Sequence, residues 1–342
     1  MDIFLYLSPF LTGFVISTAL LFTARTLFLR MESRFAVPVR RFGGVAVIGS
    51  FALSILMNPH LVLTPAILGI IIGSIGILFF GILDDIATLS WKLQLAFQIS
   101  LGVILFVSGL RIFSLPVPFV GQVFVDTLPG GEMLGIIVLI LWVVFVTNAL
   151  NWADGIDGLL PSISIFAFFA LFCLSISSRV DQPPLGIIAV VLAGAVLGLL
   201  VFNFPPSYFF PGTTGSFFIG FSLASLSILS GAKLATAILV LSLPMLDAIW
   251  VFVERLRCGQ SPFRGGDLRH LHYRLRELGW SDRAIVLGYA AYTALVGGIA
   301  LSFGSTGKTI AFLVLSILVG VFLFQIQKRV GLAGSFSASQ EL

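Results

Sequence analysis

Four aspartates interrupt a chain that is otherwise close to continuous hydrocarbon: Asp84 and Asp85 in GILDDIATLS, and Asp154 and Asp157 in NALNWADGIDGLLP. A carboxylate at the centre of a membrane span costs about 2.5–3.5 kcal/mol on insertion scales, so clustered ones point to function. Adjacent carboxylates repel, and an Arg, a Lys or a divalent cation beside them relieves the repulsion. Asp84 and Asp85 therefore read either as part of a cation-bearing site or as a helix-end acidic pair answering Lys92. In the second cluster Asn148, Asn151 and Asp154 recur at a spacing that lines them along one edge of a helix end. Gly155 and Gly158 then permit tight turns, and Asp157 projects from the start of the next helix. Two carboxylates and two amides can hold a hydrated divalent cation, or the hydroxyls and base edge of a nucleotide.

Two further polar loops add to this chemistry. In NFPPSYFFPGTTGSFFIG the residues Gly212, Thr213, Thr214, Gly215 and Ser216 precede an apolar span and resemble a helix N-terminus. Exposed N–H groups there suit phosphate oxygens, although such caps are also common without a ligand. The longest polar loop runs ERLRCGQSPFRGGDLRHLHYRLRELGWSDR. It sets His270 and His272 two apart, with Asp267 three residues earlier and Arg264, Arg269, Arg274 and Arg276 around them. Arginines and imidazoles suit a diphosphate. One H-x-H with a single Asp lacks the ligands of a zinc site. Asp247, inside an apolar stretch, reads as a buried ion paired with a Lys or Arg on a neighbouring helix, ahead of a catalytic role.

The elements that position these loops follow from hydropathy. Charged residues are 10% and hydrophobic ones 58% of the chain, and the mean hydropathy is +1.11, too apolar for a soluble domain of 342 residues. Apolar stretches near 3–28, 43–58, 62–83, 92–110, 132–150, 158–178, 185–203, 216–231, 233–253, 283–303 and 309–327 predict about eleven membrane helices, with ten the alternative count because the second and eighth are short. The fold class is an all-α polytopic membrane protein, with a single transmembrane domain over 1–330 and a disordered tail over 331–342. Residues 111–131 alternate β-branched and aromatic types with Pro and Gly, which predicts a short external β-hairpin. The first span is long, lacks a basic lead-in and ends in Arg25 and Arg30, unlike a cleaved signal peptide. Of the 19 basic residues, fifteen fall in one alternate set of loops, and the positive-inside rule places that set in the cytoplasm. The N-terminus then lies outside and the C-terminus inside, with all four polar loops on the cytoplasmic face. Two cysteines give no disulfide framework, and a net charge of +4 is topological bias with no nucleic-acid role implied.

The chain resembles the polyprenyl-phosphate N-acetylhexosamine-1-phosphate transferases, the WecA/TagO/MraY group. The resemblance runs from RRFGGVAVIG to HLHYRLRELG and rests on LDD at 83–85, NALNWADGIDGL at 148–159, PGTTGSFFIG, PMLD at 244–247 and SPFRGGDLRHLHYRL, in that order. The H-x-H loop after a PF pair is more similar to the WecA/TagO branch than to the muramoyl-pentapeptide branch. The resemblance implies an enzyme of the cytoplasmic face of a bacterial cell membrane. It would transfer a sugar-1-phosphate, GlcNAc-1-phosphate by branch, from a UDP-N-acetylhexosamine to undecaprenyl phosphate with release of UMP. It further implies Mg²⁺, or Mn²⁺, as cofactor, and a homodimer is in keeping with it. Carried onto this sequence, Asp84 is the base or orienter at the lipid phosphate and Asp85 supports it. Asn151 helps hold the metal with Asp154. Asp154 and Asp157 take the nucleoside and sugar side. Asn148, Asn151, Gly215, Ser216, Arg264, Asp267, His270 and His272 bind substrate.

One departure stands out. The family reads Gly-Asp-x-Gly-Ser at the third loop, with the aspartate a magnesium ligand, and here that position is Thr213, a much poorer ligand. Tyr273 also stands where the WecA branch commonly has a third histidine. Either another acid completes the metal site in an active enzyme, or the chain is a catalytically weak homologue that binds nucleotide-sugar or polyprenyl phosphate without efficient turnover.

Overall fold

The computed structural model describes residues 3–28, 40–117, 121–125, 127–229, 231–261 and 268–340. Over these residues thirteen helices are present: α1 Phe4–Phe28, α2 Gly43–Leu56, α3 Pro65–Ala87, α4 Trp91–Val107, α5 Gly131–Ala153, α6 Leu159–Ser175, α7 Pro183–Asn203, α8 Gly212–Ile228, α9 Gly231–Val240, α10 Ser242–Arg257, α11 Leu271–Glu277, α12 Asp282–Ser302 and α13 Ser305–Gln340. Six of them are long and apolar enough to cross a bilayer, or seven if the bent pair α9–α10 counts as one span. Four shorter apolar helices, α2, α4, α6 and α8, accompany them. Every stretch read from hydropathy falls on one of these helices or on the bent pair. The chain is a multi-pass membrane protein.

Local sequence explains the element ends. Thr64 accepts a hydrogen bond from the Ile67 N–H and Pro65 opens α3, while Ser281 caps α12 through the Ala284 N–H. The 71° bend between α9 and α10 sits at Leu241. Pro244 supplies the cause: it lacks an N–H, and its ring clashes with the carbonyl four residues back, which is that of Val240. In α3 the helix continues to Ala87, past the expected edge at residue 83, so Asp84 and Asp85 lie in its last turn. The backbone of α13 is helical through Gln340, over residues for which the composition predicts a disordered tail. Extending an existing helix needs no new nucleus. Residues 341–342 lie outside the described residues.

The core gathers around α7, the most enclosed of the six spans. Helix α1 lies directly on it: a Cβ built on Gly194 would sit 2.1 Å from the Phe10 carbonyl oxygen, so the backbones touch at small residues. Buried serines in this core, among them Ser162, Ser164 and Ser225, donate to the carbonyl four residues earlier. That satisfies a hydroxyl with no water at hand. By contrast α3 and α13 expose Ile72, Phe79, Ile317 and Phe324, an apolar surface that lipid solvates. The strands β1, Ser114–Val117, and β2, Gly121–Phe124, pair antiparallel with Ser114 opposite Phe124.

Candidate active site

Four helix ends meet at one cavity of about 410 Å³. The segment entering α2 contributes Arg40 and Arg41, the end of α3 Asp85, the end of α5 Asn151 and Asp154, and the start of α8 Phe210, Gly212 and Thr213. Close backbone contact holds two of these ends together. A Cβ on Gly44 would fall 2.2 Å from the Gly215 nitrogen, and the Gly43 and Gly44 N–H groups donate to the carbonyls of Phe210 and Pro211. Gly215, predicted to bind substrate, thus serves the packing of α2 on α8.

The two adjacent aspartates have separate surroundings. Asp84 is buried at 5% exposure and does not line the cavity. Its Oδ1 accepts from the Leu89 N–H and the Gln94 amide, both at 2.9 Å, and its Oδ2 from the Thr213 hydroxyl at 2.5 Å. Asp85 faces the cavity and caps α8 from outside that helix. It accepts from the Thr213 N–H at 2.8 Å, the Thr214 N–H at 3.2 Å and the Thr214 hydroxyl at 2.7 Å. The positive end of α8 and Arg41, 3.6 Å away, offset part of the cost of burying its charge. The resemblance gives Asp84 the place at the reacting phosphate with Asp85 in support; the geometry puts Asp85 at the cavity wall and Asp84 behind it.

Asp154 is the cavity's other acid. Among the described residues its carboxylate has no hydrogen-bond donor. Burial first, then the charges of Asp85 and Asp157, push its carboxyl well above the usual carboxylate range, against the pull of Arg41. Asn151 accepts from the Ser216 hydroxyl at 2.7 Å, so Ser216, fully buried, orients the amide from behind. Asn148 does not join them: it exchanges hydrogen bonds with Gln98 on α4. Asp157 is also directed elsewhere, accepting from the Ser207 N–H at 3.1 Å.

Beside the cavity lies the H-x-H segment. A Cβ on Gly155 would fall 2.3 Å from His272 Nε2 and 2.5 Å from the Tyr273 hydroxyl, so only glycine lets the α5–α6 turn meet α11 this closely. His272 Nε2 is buried without a partner, and burial pulls this ring's pKa down to about 4. His270 and His272 lie with parallel rings 5.8 Å apart. Asp247 is bonded to His270 Nδ1 at 2.9 Å, where the sequence suggests a Lys or Arg partner; the bend at Leu241 turns this face of α10 toward α11. Arg274 is bound to Glu254 and Arg276 to Asp282, so neither points at the cavity. Arg264 and Asp267, both expected to bind substrate, lie outside the described residues.

Among the described residues no three His, Cys, Asp or Glu side chains form a metal cage. The donor set fits a looser role. Magnesium is commonly held by one or two carboxylates plus substrate phosphates and water. Asp85, Asp154 and Asn151 share one cavity, and the disfavoured charge of Asp154 is what a nearby cation would relieve. The Thr213 hydroxyl is turned to Asp84, away from such an ion.

The fold and the cavity define a class: multi-pass membrane proteins whose converging helix ends set arginines against carboxylates. Within it, the chain belongs to glycosyl transferase family 4, whose profile matches residues 67–231. A Bacillus subtilis (strain 168) protein named as a probable undecaprenyl-phosphate N-acetylglucosaminyl 1-phosphate transferase is 30% identical over 72% of this chain and 68% of its own length. A decaprenyl-phosphate N-acetylglucosaminephosphotransferase of Mycolicibacterium smegmatis (strain ATCC 700084 / mc(2)155) is 28% identical over 91% of this chain and 84% of its own. A phospho-N-acetylmuramoyl-pentapeptide-transferase of Clostridium beijerinckii (strain ATCC 51743 / NCIMB 8052) is 30% identical over 64% and 68% respectively.

Proposed function

We propose that the chain transfers N-acetylhexosamine-1-phosphate, with GlcNAc as the sugar, from its UDP conjugate to undecaprenyl phosphate at the cytoplasmic face of a bacterial membrane. The observation that carries this reading is a single cavity lined by both signs of charge, Arg40 and Arg41 together with Asp85, Asn151 and Asp154. An oxygen of the lipid phosphate attacks the β-phosphorus of the UDP-sugar. The bond from that phosphorus to the bridging oxygen breaks, and UMP leaves with the bridging oxygen. No proton need be removed from a phosphate already ionised near neutral pH, so the protein's task is to align the groups and offset their charge.

Arg40 and Arg41 supply cationic donors for phosphate oxygens. Asp85 and Asp154, with Asn151, would hold Mg²⁺ or Mn²⁺, which neutralises diphosphate charge when bound. The unpartnered Nε2 of His272 and the hydroxyl of Tyr273 face the turn after Asp154, where donor groups of the nucleotide-sugar can meet them. The apolar stretches support eleven crossings, and the basic loops then support an outside N-terminus and an external hairpin.

The test is UMP release by purified protein in detergent with undecaprenyl phosphate and UDP-GlcNAc, with Mg²⁺ or with a chelator. Lipid- and metal-dependent UMP is expected. Folded protein that binds UDP-GlcNAc and releases no UMP across a panel of UDP-sugars would overturn the transferase reading and leave a binding homologue.

A further inference from the structure

Helix α10 turns one face to the core, and Asp247 on that face is buried at 5% exposure against His270 at 4%. Both oxygens of the carboxylate are used. Oδ1 accepts from the Leu271 N–H at 2.8 Å, which fixes the start of α11, and Oδ2 meets His270 Nδ1 at 2.9 Å. An ionised carboxylate only accepts, so Nδ1 carries the proton and donates it into this bond. Nε2, on the opposite edge of the ring, is left as the chemically variable nitrogen. The ring is held in plane as well: it lies parallel to His272, and Trp152, two residues before Asp154, is 5.8 Å away. Trp152 is itself held by Arg255, whose guanidinium lies 5.6 Å over the indole. A fixed tautomer and a fixed orientation are what a ring needs to meet one oxygen of a bound diphosphate and no other.

We propose that Asp247 is a positioning residue for the transfer: it holds His270 in the Nδ1–H tautomer and aims Nε2 at the diphosphate of the nucleotide-sugar. The inference rests on the transferase reading, and it assigns to Asp247 a role in the reaction in addition to its role in the fold. Buried carboxylates that orient a histidine in this way affect rates strongly when they are lost.

The experiment uses full-length protein in detergent. Asp247→Asn keeps an oxygen for the Leu271 N–H while removing the carboxylate from Nδ1. We expect kcat to fall about 10- to 100-fold, with donor KM and thermal midpoint close to wild type and partial recovery in Asp247→Glu. The double variant Asp247→Asn/His270→Gln should be no slower than His270→Gln alone, since one residue acts through the other. Nitrogen-15 spectra of labelled histidine should show the Nδ1–H tautomer at His270 in the wild type and its loss in Asp247→Asn. Unchanged kcat, losses that add in the double variant, or kcat falling only in step with the thermal midpoint would overturn the proposal. If wild-type protein releases no UMP from any UDP-sugar, the transferase reading fails by itself. The histidine spectra then decide, since an unchanged tautomer in Asp247→Asn removes the positioning claim as well.

Discussion

Thr213 donates its hydroxyl to Asp84 at 2.5 Å, and this bond ties the first turn of α8 to the last turn of α3. A carboxylate at position 213 would face Asp84 as a like charge and would need a cation between the two. The threonine removes that need by supplying a proton.

Thr213→Asp should therefore lower the thermal midpoint in chelator, and Mg²⁺ or Mn²⁺ should raise it again by more than it raises the wild type. Thr213→Val should also destabilise, by about 1–3 kcal/mol, because a buried carboxylate loses one of its donors. Thermal unfolding of the three proteins with and without metal checks both. Equal metal response in wild type and Thr213→Asp would remove position 213 from the cation's surroundings.

Asp154 gives a prediction with a sign. Its carboxyl is held well above the usual range by burial and by Asp85 and Asp157. The native state therefore keeps a proton that the unfolded chain has released, and stability falls as pH rises through that interval. Asp154→Asn should raise the thermal midpoint more at pH 8 than at pH 5, while lowering UMP release at least about 100-fold. A variant that is less stable at both pH values would mean that the acid is a structural partner.

How much of this was legible in the chain depends on what each residue answers to. The helices were plain, because an apolar stretch of span length has few other uses, and the two acidic clusters were plain, because a charge in hydrocarbon needs a reason. The assignment within each cluster was not. Asp84 and Asp85 are neighbours in sequence, and only the approach of α8 decides which one caps its N-terminus. Asn148 sits at the same spacing as Asn151 and Asp154, yet it answers Gln98, fifty residues away, a polar side chain inside an apolar span that was itself a readable signal. Arg40 and Arg41 read in sequence only as topological charge, and their place at the cavity depends on loop 210–211 pairing with the start of α2. The bend that delivers Asp247 to His270 was latent in Pro244, whose effect on the ninth span hydropathy averages away.

His272 should stay neutral through the physiological range, since burial lowers its pKa from 6.5 to about 4. Below 6.5 the unfolded chain takes up a proton that the native ring refuses until about 4, so this residue costs stability as pH falls across that window. His272→Gln should flatten the acid side of the stability profile between those values. A His272 ring that titrates near 6.5 in nitrogen-15 spectra would contradict the burial argument.

Gly155 carries the last prediction. A methyl group there would fall 2.3 Å from His272 Nε2 and 2.5 Å from the Tyr273 hydroxyl, closer than van der Waals contact allows. Both side chains belong to α11 and His272 is buried, so the strain must move that helix or the turn that carries Asp154. Gly155→Ala should therefore reduce UMP release about tenfold or more and lower the thermal midpoint. His272→Ala in the same chain removes the nearer obstacle, and the double variant should regain part of the lost midpoint while remaining slow. If the midpoint of Gly155→Ala equals that of wild type, the turn and the histidine segment are not in contact, and the placement of His272 beside the acidic cavity fails with it.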